Sequence, residues 1–457
     1  MFKDREYLQG LLKIGVPIAL QQLLFACFNV LDTLMMGQLG EQSIAAVGLA
    51  NQISFLFNMI VFGMVNAASI FSAQYWGIKD TDGIHKVTRL TLLLALGVGS
   101  LFFLVTAFLP EVALGFYTED QLVIELGAQY LRLISFTYLT TAVYFTYTTI
   151  MRTTRQVKLP TIIAVVGLAF NMLLNYLLIF GHLGFTPMGV RGAGLGSLIV
   201  RILQLIVLLV IIYKHKYPAA APLRNFEALS KEFILRYFKT AAPVLINETM
   251  WGFAITTIYS IYGHLSTEAL ASINISASIE QIIFVAAIGI ANASATLVGN
   301  EIGAGNNHKA TLYAGRSVLL SLSITFVLGI GMFLLAPWLV TFYQVSEATR
   351  YAAQRVMQSI SMVIWIRATL VTTMIGILRP GGDTRFTLMV DGVIVWVVGV
   401  SMAHLGANVL GLPVYWVYLM VASEEAIKAV ICLLRFRSGK WINNLVRTEA
   451  EIPLVVV

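Results

Sequence analysis

MMGQLGEQSIAAVGLANQI, residues 35–53, returns as IYGHLSTEALASINISASI at residues 261–279. Gly37 falls on Gly263 and Leu39 on Leu265, an offset of 226 residues. The offset holds outward in both directions. Lys13 and Pro17 of KIGVP recur as Lys239 and Pro243 of KTAAP, and Gly63, Ala67 and Gly77 meet Gly289, Ala293 and Gly303. At an offset of 227, Arg152 and Lys158 of MRTTRQVKLP answer to Arg379 and Arg385 of LRPGGDTRFT. The chain is one design written twice.

Each copy is built for lipid. Of 457 residues, 58% are hydrophobic and only 12% charged, where a soluble domain carries about 25% charged residues. Runs of roughly 20 apolar residues cross a bilayer as helices. The sequence holds twelve such runs, at about 12–36, 45–74, 91–110, 125–149, 160–180, 193–213, 240–262, 269–298, 312–337, 353–377, 386–405 and 412–434. Twelve spans put both termini on one side. If that side is the cytoplasm, its loops hold 23 Lys and Arg against 3 opposite, which satisfies the positive-inside rule. The net charge of +7 therefore sets topology and gives no reason to expect nucleic acid. The N-terminal MFKDREYLQGLLK has no small-residue cleavage site before the first span, so no cleaved signal peptide is expected.

Six spans per copy is an even number, so the two copies share one orientation. Parallel repeats of this kind are a transporter architecture, with binding near the repeat interface. The expected fold is an all-α membrane protein of two six-helix lobes, residues 1–213 and 240–457. A cytoplasmic linker at 214–239 and a cytoplasmic tail complete it. The end of the linker, with Phe233, Leu235, Tyr237 and Phe238 among charges, reads as an amphipathic surface helix.

Polar groups inside the spans are the candidate site. FNVLDTLMMGQLG (28–40) carries Asp32 within an apolar run. A charge there costs roughly 2.5–3.5 kcal/mol on insertion scales, so either a function offsets that cost or Asp32, a few residues from the outer end of its span, meets headgroup water. GLAFNMLLNYLLIFG (167–181) places Asn171 and Asn175 four apart on one helix face. MGVRGAGLGSLIVR (188–201) combines Gly192, Gly194 and Gly196, which permit close helix approach, with Ser197. A carboxylate, two amides and a hydroxyl are hard oxygen ligands that suit a proton or a small cation. Na⁺ at Asp32, Asn171 and Asn175 is one such arrangement. In the second copy, AAPVLINETMWGF (241–253) contributes Glu248 as a second intramembrane acid. Glu424 and Lys428 have i,i+4 ion-pair spacing. Glu280, Asp391, Arg201 and Arg367 need partners that the sequence does not identify.

Several chemistries find no support. The sequence has no Walker A pattern, no HExxH and no GxSxG, and its six histidines fall at span ends or in loops. Its two cysteines, Cys27 and Cys432, sit in separate apolar runs and indicate no disulfide framework. An enzyme and a resident cofactor are not expected; energy would come from an H⁺ or Na⁺ gradient.

The chain resembles the multidrug and toxic compound extrusion (MATE) family over essentially its whole length. The carrying motifs are LDTLMMGQLG (31–40), KLPTIIAVVGLAFNMLLNYLLIFGHLG (158–184), GVRGAGLGS (189–197) and LRPGGDTRF (378–386). The resemblance implies two six-helix lobes around a V-shaped cavity. It implies export of organic, often cationic, amphiphiles in antiport with H⁺ or Na⁺. Asp32 stands where the family has its first-helix acid, Asn171 and Asn175 where it has an N-lobe polar pair, and Ser197 where a threonine is often found. Glu248 matches the seventh-helix glutamate of one branch. That branch also has a tenth-helix acid eleven residues before the arginine of the LRG-like motif; this chain has Ala368 there, which shifts weight to coupling through Asp32. The expected setting is a bacterial cell membrane, with small organic substrates and lipids as partners and the monomer as the working unit. A flippase for a lipid-linked substrate is the alternative, and it would need a basic groove from Arg132, Arg201 and Arg367.

Overall fold

A computed structural model describes residues 5–37, 39, 41–118, 120–222, 229–343 and 345–446, without the side chains of 26–34, 36, 37, 41, 44 and 267. The described residues are predominantly helical, with no strand among them. This is what a bilayer demands: with no water at depth, each backbone N–H and C=O must be satisfied within its own helix.

Twelve long helices follow one another. The first six are α1 (Arg5–Gly37), α2 (Glu41–Gly77), α3 (Thr81–Phe108), α4 (Gln121–Thr153), α5 (Lys158–Phe180) and α6 (Val190–Lys214). The second six are α7 (Lys231–Leu265), α8 (Thr267–Ala304), α9 (Asn307–Leu339), α10 (Glu347–Leu378), α11 (Thr384–Val409) and α12 (Val414–Arg437). A short helix, Pro110–Gly115, lies between α3 and α4. Among the described residues nine segments are long and apolar enough to cross a membrane by composition alone. The helices outside that set are α4, α7 and α12, and each carries polar side chains at depth. Those of α7 and α12 include Asn247, Glu248, Glu424, Glu425 and Lys428.

Local signals account for the helix ends. Asp120 caps α4, its Oδ1 accepting from the Leu122 and Val123 N–H groups at 3.0 and 3.3 Å. Ser266 and Ser346 cap α8 and α10 in the same way. Gly305, at φ +83°, ends α8 in the left-handed conformation that glycine adopts without penalty. Residues 231–239, expected to form a separate surface helix, instead begin α7. Phe233 and Tyr237 are buried there, while Leu235 and Phe238 stay exposed. Three π turns interrupt α11, the first over Leu388–Val393. Nothing in the apolar run at 386–405 announces them.

By contacts the chain forms two compact units. The first takes Leu20–Ser72 and Thr81–Arg236; the second takes residues up to Ala19, Ala73–Asp80, and the chain from Tyr237 onward. In the first, α2, α4, α5 and α6 bury Ala50, Leu131, Ile179 and Val190 against one another. In the second, α7, α8, α9, α10 and α12 close over Ile258, Ile273, Met332, Ile360 and Val417. Large apolar side chains of α9, among them Val327, Leu334 and Leu335, remain exposed. This is the surface expected to meet lipid.

Within the second unit, the end of α2 packs against the end of α8 through equivalent residues. A Cβ on Gly77 would overlap the carbonyl oxygen of Asn300, and a Cβ on Gly303 would overlap that of Gln74. Gly77 and Gly303 are repeat equivalents, and so are Gln74 and Asn300. Both amides hold this junction: Asn300 donates to the Ala73 carbonyl at 2.8 Å, and Gln74 to those of Pro380 and Asn443 at 2.9 and 3.1 Å. The tail continues the seal. Trp441 is fully buried, the Leu445 N–H donates to Gln74 Oε1 at 2.7 Å, and Asn444 donates to the Ile302 carbonyl at 2.8 Å.

Replacing Gly303 with alanine forces backbone apart at this junction and should destabilise the protein by about 1–3 kcal/mol. Gly97, whose Cβ would meet nothing within 4 Å, is the control. Gly97→Ala should be neutral or stabilising. Thermal unfolding in detergent compares the two.

Candidate functional site

The glycines of α6 set the floor of the site. A Cβ on Gly192 would stand 2.6 Å from the Leu178 backbone, and one on Gly196 would stand 2.5 Å from Asn175 Oδ1. Without side chains at these positions, α6 lies directly on α5, and Asn175 fits between them, only 3% exposed. Asn175 Nδ2 donates to Asn171 Oδ1 at 3.5 Å, and Asn171 Nδ2 donates to Ser197 Oγ at 3.4 Å. Both contacts are long. The three side chains thus form one polar chain across the α5–α6 seam. Asp32 lies on α1, but its side chain falls outside the described residues, and so does that of Cys27.

Asn171 and Ser197 open onto a cavity of about 530 Å³ inside the first unit. That volume is within the usual range for small-molecule sites. Its other walls include Asn51, Ser54 and Asn58 of α2 and Tyr130, Thr137, Tyr138 and Thr141 of α4. Arg201 and Gln204 extend the α6 wall. Tyr138 and Ser54 share a hydrogen bond of 3.1 Å, so α2 and α4 meet through hydroxyls. The α2 residues were not singled out from sequence, although a signal exists. Their spacing of three and four places Asn51, Ser54 and Asn58 on one face of an otherwise apolar helix.

The second unit holds its charges differently. Arg367 of α10 lies between Glu280 of α8 and Glu425 of α12, with Arg367 Nη2 2.5 Å from Glu425 Oε1. Lys428, 1% exposed, bridges Asp391 at 2.8 Å and Glu424 one helical turn before it. Asn247 Nδ2 donates to the other oxygen of Asp391 at 2.9 Å. Glu424 and Glu425 are chain neighbours, so the two triads are joined through α12. Each triad sets two carboxylates against one cation. Glu248 pairs with the buried Arg379, Nη1 to Oε1 at 2.6 Å, and its side chain is 23% exposed. The i,i+4 pair read from sequence is present. Arg367's partners lie 58 and 87 residues away in the chain, out of reach of any local pattern. Among the described residues no cluster of three or more His, Cys, Asp or Glu side chains is arranged to hold a metal ion. Cys432 is free and buried.

With this geometry established, known proteins offer a comparison. The family model described as MatE matches residues 17–177 and 241–405, the two repeats in turn. The chain is similar to a probable multidrug resistance protein NorM of Thermotoga maritima. The two are 23% identical over 98% of this chain and 96% of that one. It is similar also to the multidrug resistance protein PmpM of Pseudomonas aeruginosa, at 25% identity over 88% of this chain and 84% of that one. Among solved structures, the Vibrio cholerae MATE transporter VcmN superposes with a TM-score of 0.88. The match covers 96% of this chain and 98% of that one at 14% identity, a likeness of fold.

The triad around Arg367 predicts a specific hierarchy. Arg367→Met leaves Glu280 and Glu425 buried against each other and should cost about 3–5 kcal/mol of stability. Neutralising both acids in the same chain, as Glu280→Gln and Glu425→Gln, should recover most of that loss. Unfolding midpoints in detergent order the variants.

Proposed function

The chain belongs to the MatE family, and from that premise we propose that it exports organic amphiphilic compounds, cationic ones among them, in exchange for H⁺ or Na⁺. It is a multi-pass membrane transporter and not an enzyme. The proposed setting is a bacterial cell membrane, with both termini in the cytoplasm and a monomer as the working unit. The proposed lobes are the repeats, 1–213 and 240–457, joined by the linker 214–239.

The observation that carries the reading is the cavity of the first unit. A drug-sized space inside apolar helices, walled by amides and hydroxyls, suits an amphiphile that leaves lipid with part of its polar surface unsatisfied. Asn171 and Ser197 line it, and Asn175 supports Asn171 from behind. In the proposal Asp32 is the coupling carboxylate. It binds a proton, or Na⁺ with the amide oxygens of Asn171 and Asn175, on one side of the membrane and releases it on the other. Ser197 orients Asn171. Glu248 is the second intramembrane acid, with Arg379 as its counter-charge, so a cation reaching it must compete with a guanidinium. The names of the similar proteins, which speak of multidrug resistance, agree with broad substrate choice. A lipid-linked flippase is less well supported. Arg132 and Arg367 are each neutralised by carboxylates, which leaves only Arg201 of the three arginines that such a groove would need.

Vesicles containing only this protein test the proposal. A cationic dye such as ethidium should drive counter-flux of H⁺ or Na⁺ when each gradient is imposed in turn. Asp32→Asn should insert normally and lower coupled flux by about tenfold or more, the scale of one lost charge-assisted contact. Unchanged export by that variant would remove Asp32 from the mechanism.

A further inference from the structure

Residues 441–446, which follow α12, lie across three parts of the second unit. Trp441 is fully buried, and its Nε1 donates to the Phe436 carbonyl at 3.0 Å. The chain then runs along Gly381, in the turn between α10 and α11. The Asn443 N–H donates to the Gly381 carbonyl at 2.8 Å, and a Cβ on Gly381 would overlap the Trp441 carbonyl oxygen. Asn444 reaches α8, where its Nδ2 donates to the Ile302 carbonyl at 2.8 Å. The Leu445 N–H reaches α2, donating to Gln74 Oε1 at 2.7 Å. The internal repeat shows what has been diverted. Asn300 donates straight from α8 to the Ala73 carbonyl of α2 at 2.8 Å. Its equivalent Gln74, one methylene longer, gives its Nε2 to the Pro380 and Asn443 carbonyls at 2.9 and 3.1 Å. One amide of a symmetric pair serves the tail.

The helix so held is a divided one. The body of α2, to Ser72, belongs to the first unit, and Ala73–Asp80 belongs to the second. Transporters built from repeats alternate by rocking one repeat against the other, so a helix shared between units must yield where its end is fastened. The fastening is suited to yield. Beyond Trp441 the tail has no regular structure, and residues 442–446 are half-buried or exposed. They are held mainly by hydrogen bonds, each of modest net strength where water competes. We propose that residues 441–446 are a releasable strap. It holds the end of α2 to α8 in one state of the transport cycle. Its bonds to Gln74 and to the end of α8 break when that face opens, and Trp441 stays seated as the anchor. The proposal rests on the export reading for the reason that the face must open.

Spin-label distances in the full-length protein, held in lipid nanodiscs, test the strap. The labels go on Thr81→Cys and Asn307→Cys, two exposed positions just after the ends of α2 and α8, and protein with only its native cysteines sets the labelling background. Leu445→Pro removes the N–H given to Gln74, and Asn444→Ala removes the bond to α8. Together they should raise the ratio of long to short separations by about tenfold or more, as two lost hydrogen bonds predict. Lys440→Ala, an exposed tail position outside the strap, should leave the ratio unchanged. If the double variant does not fold, Leu445→Pro alone decides, with an expected rise of about threefold or more. An unchanged ratio overturns the proposal, and a fall in melting temperature beside it marks the tail as a static prop. An equal rise in Lys440→Ala also overturns it, because the shift would not come from the strap. The two readings fail separately: a shifted ratio without ethidium-driven coupled flux removes export alone, and coupled flux with an unchanged ratio removes the strap alone.

Discussion

The governing constraint is the cost of an uncompensated charge in hydrocarbon. It sorts the molecule into two regimes. In the second unit the charged side chains are compensated locally: Arg367 by two glutamates, Lys428 by Asp391 and Glu424, Arg379 by Glu248. The partners come from α7, α8, α10, α11 and α12, so the same contacts that neutralise charge also tie five helices together. The first unit follows another course. It surrounds a cavity with neutral donors and acceptors and leaves one guanidinium facing it. A closed network of ion pairs favours a fixed arrangement, whereas a polar wall around open space favours an exchangeable guest.

Close helix contact is the means by which the chain reaches either state. Gly192 and Gly196 bring α6 onto α5, and the approach confines Asn175, whose amide donates along the seam to Asn171. Without that confinement the Asn171–Ser197 contact would have no fixed backing. In this way the glycines of GVRGAGLGS become the support of a polar site.

Much of this was legible in the sequence, and the remainder was hidden for identifiable reasons. The spans follow from hydropathy because a bilayer has one thickness. The repeat follows from aligned glycines and prolines. Asn171 with Asn175, and Glu424 with Lys428, could be read because helical geometry makes residues four apart neighbours. Arg367's partners could not, because contacts across 58 and 87 residues depend on which helices adjoin. The first π turn of α11 contains Asp391, whose contacts with Lys428 and Asn247 come from other helices and leave no local pattern. Residues 231–239 carry the pattern of a surface helix, yet α7 continues through them because Phe233 and Tyr237 find burial there. The docking of Trp441, Asn444 and Leu445 follows a run of polar residues that hydropathy leaves unmarked.

The contact between the ends of α2 and α8 is reciprocal. Gly77 receives the carbonyl of Asn300, and Gly303 receives the carbonyl of Gln74, its counterpart. Each half offers the other the same surface that it accepts, which is the definition of an isologous contact. Enlarging either glycine therefore drives the equivalent carbonyl of the opposite helix out of its notch, so the two positions fail in the same way.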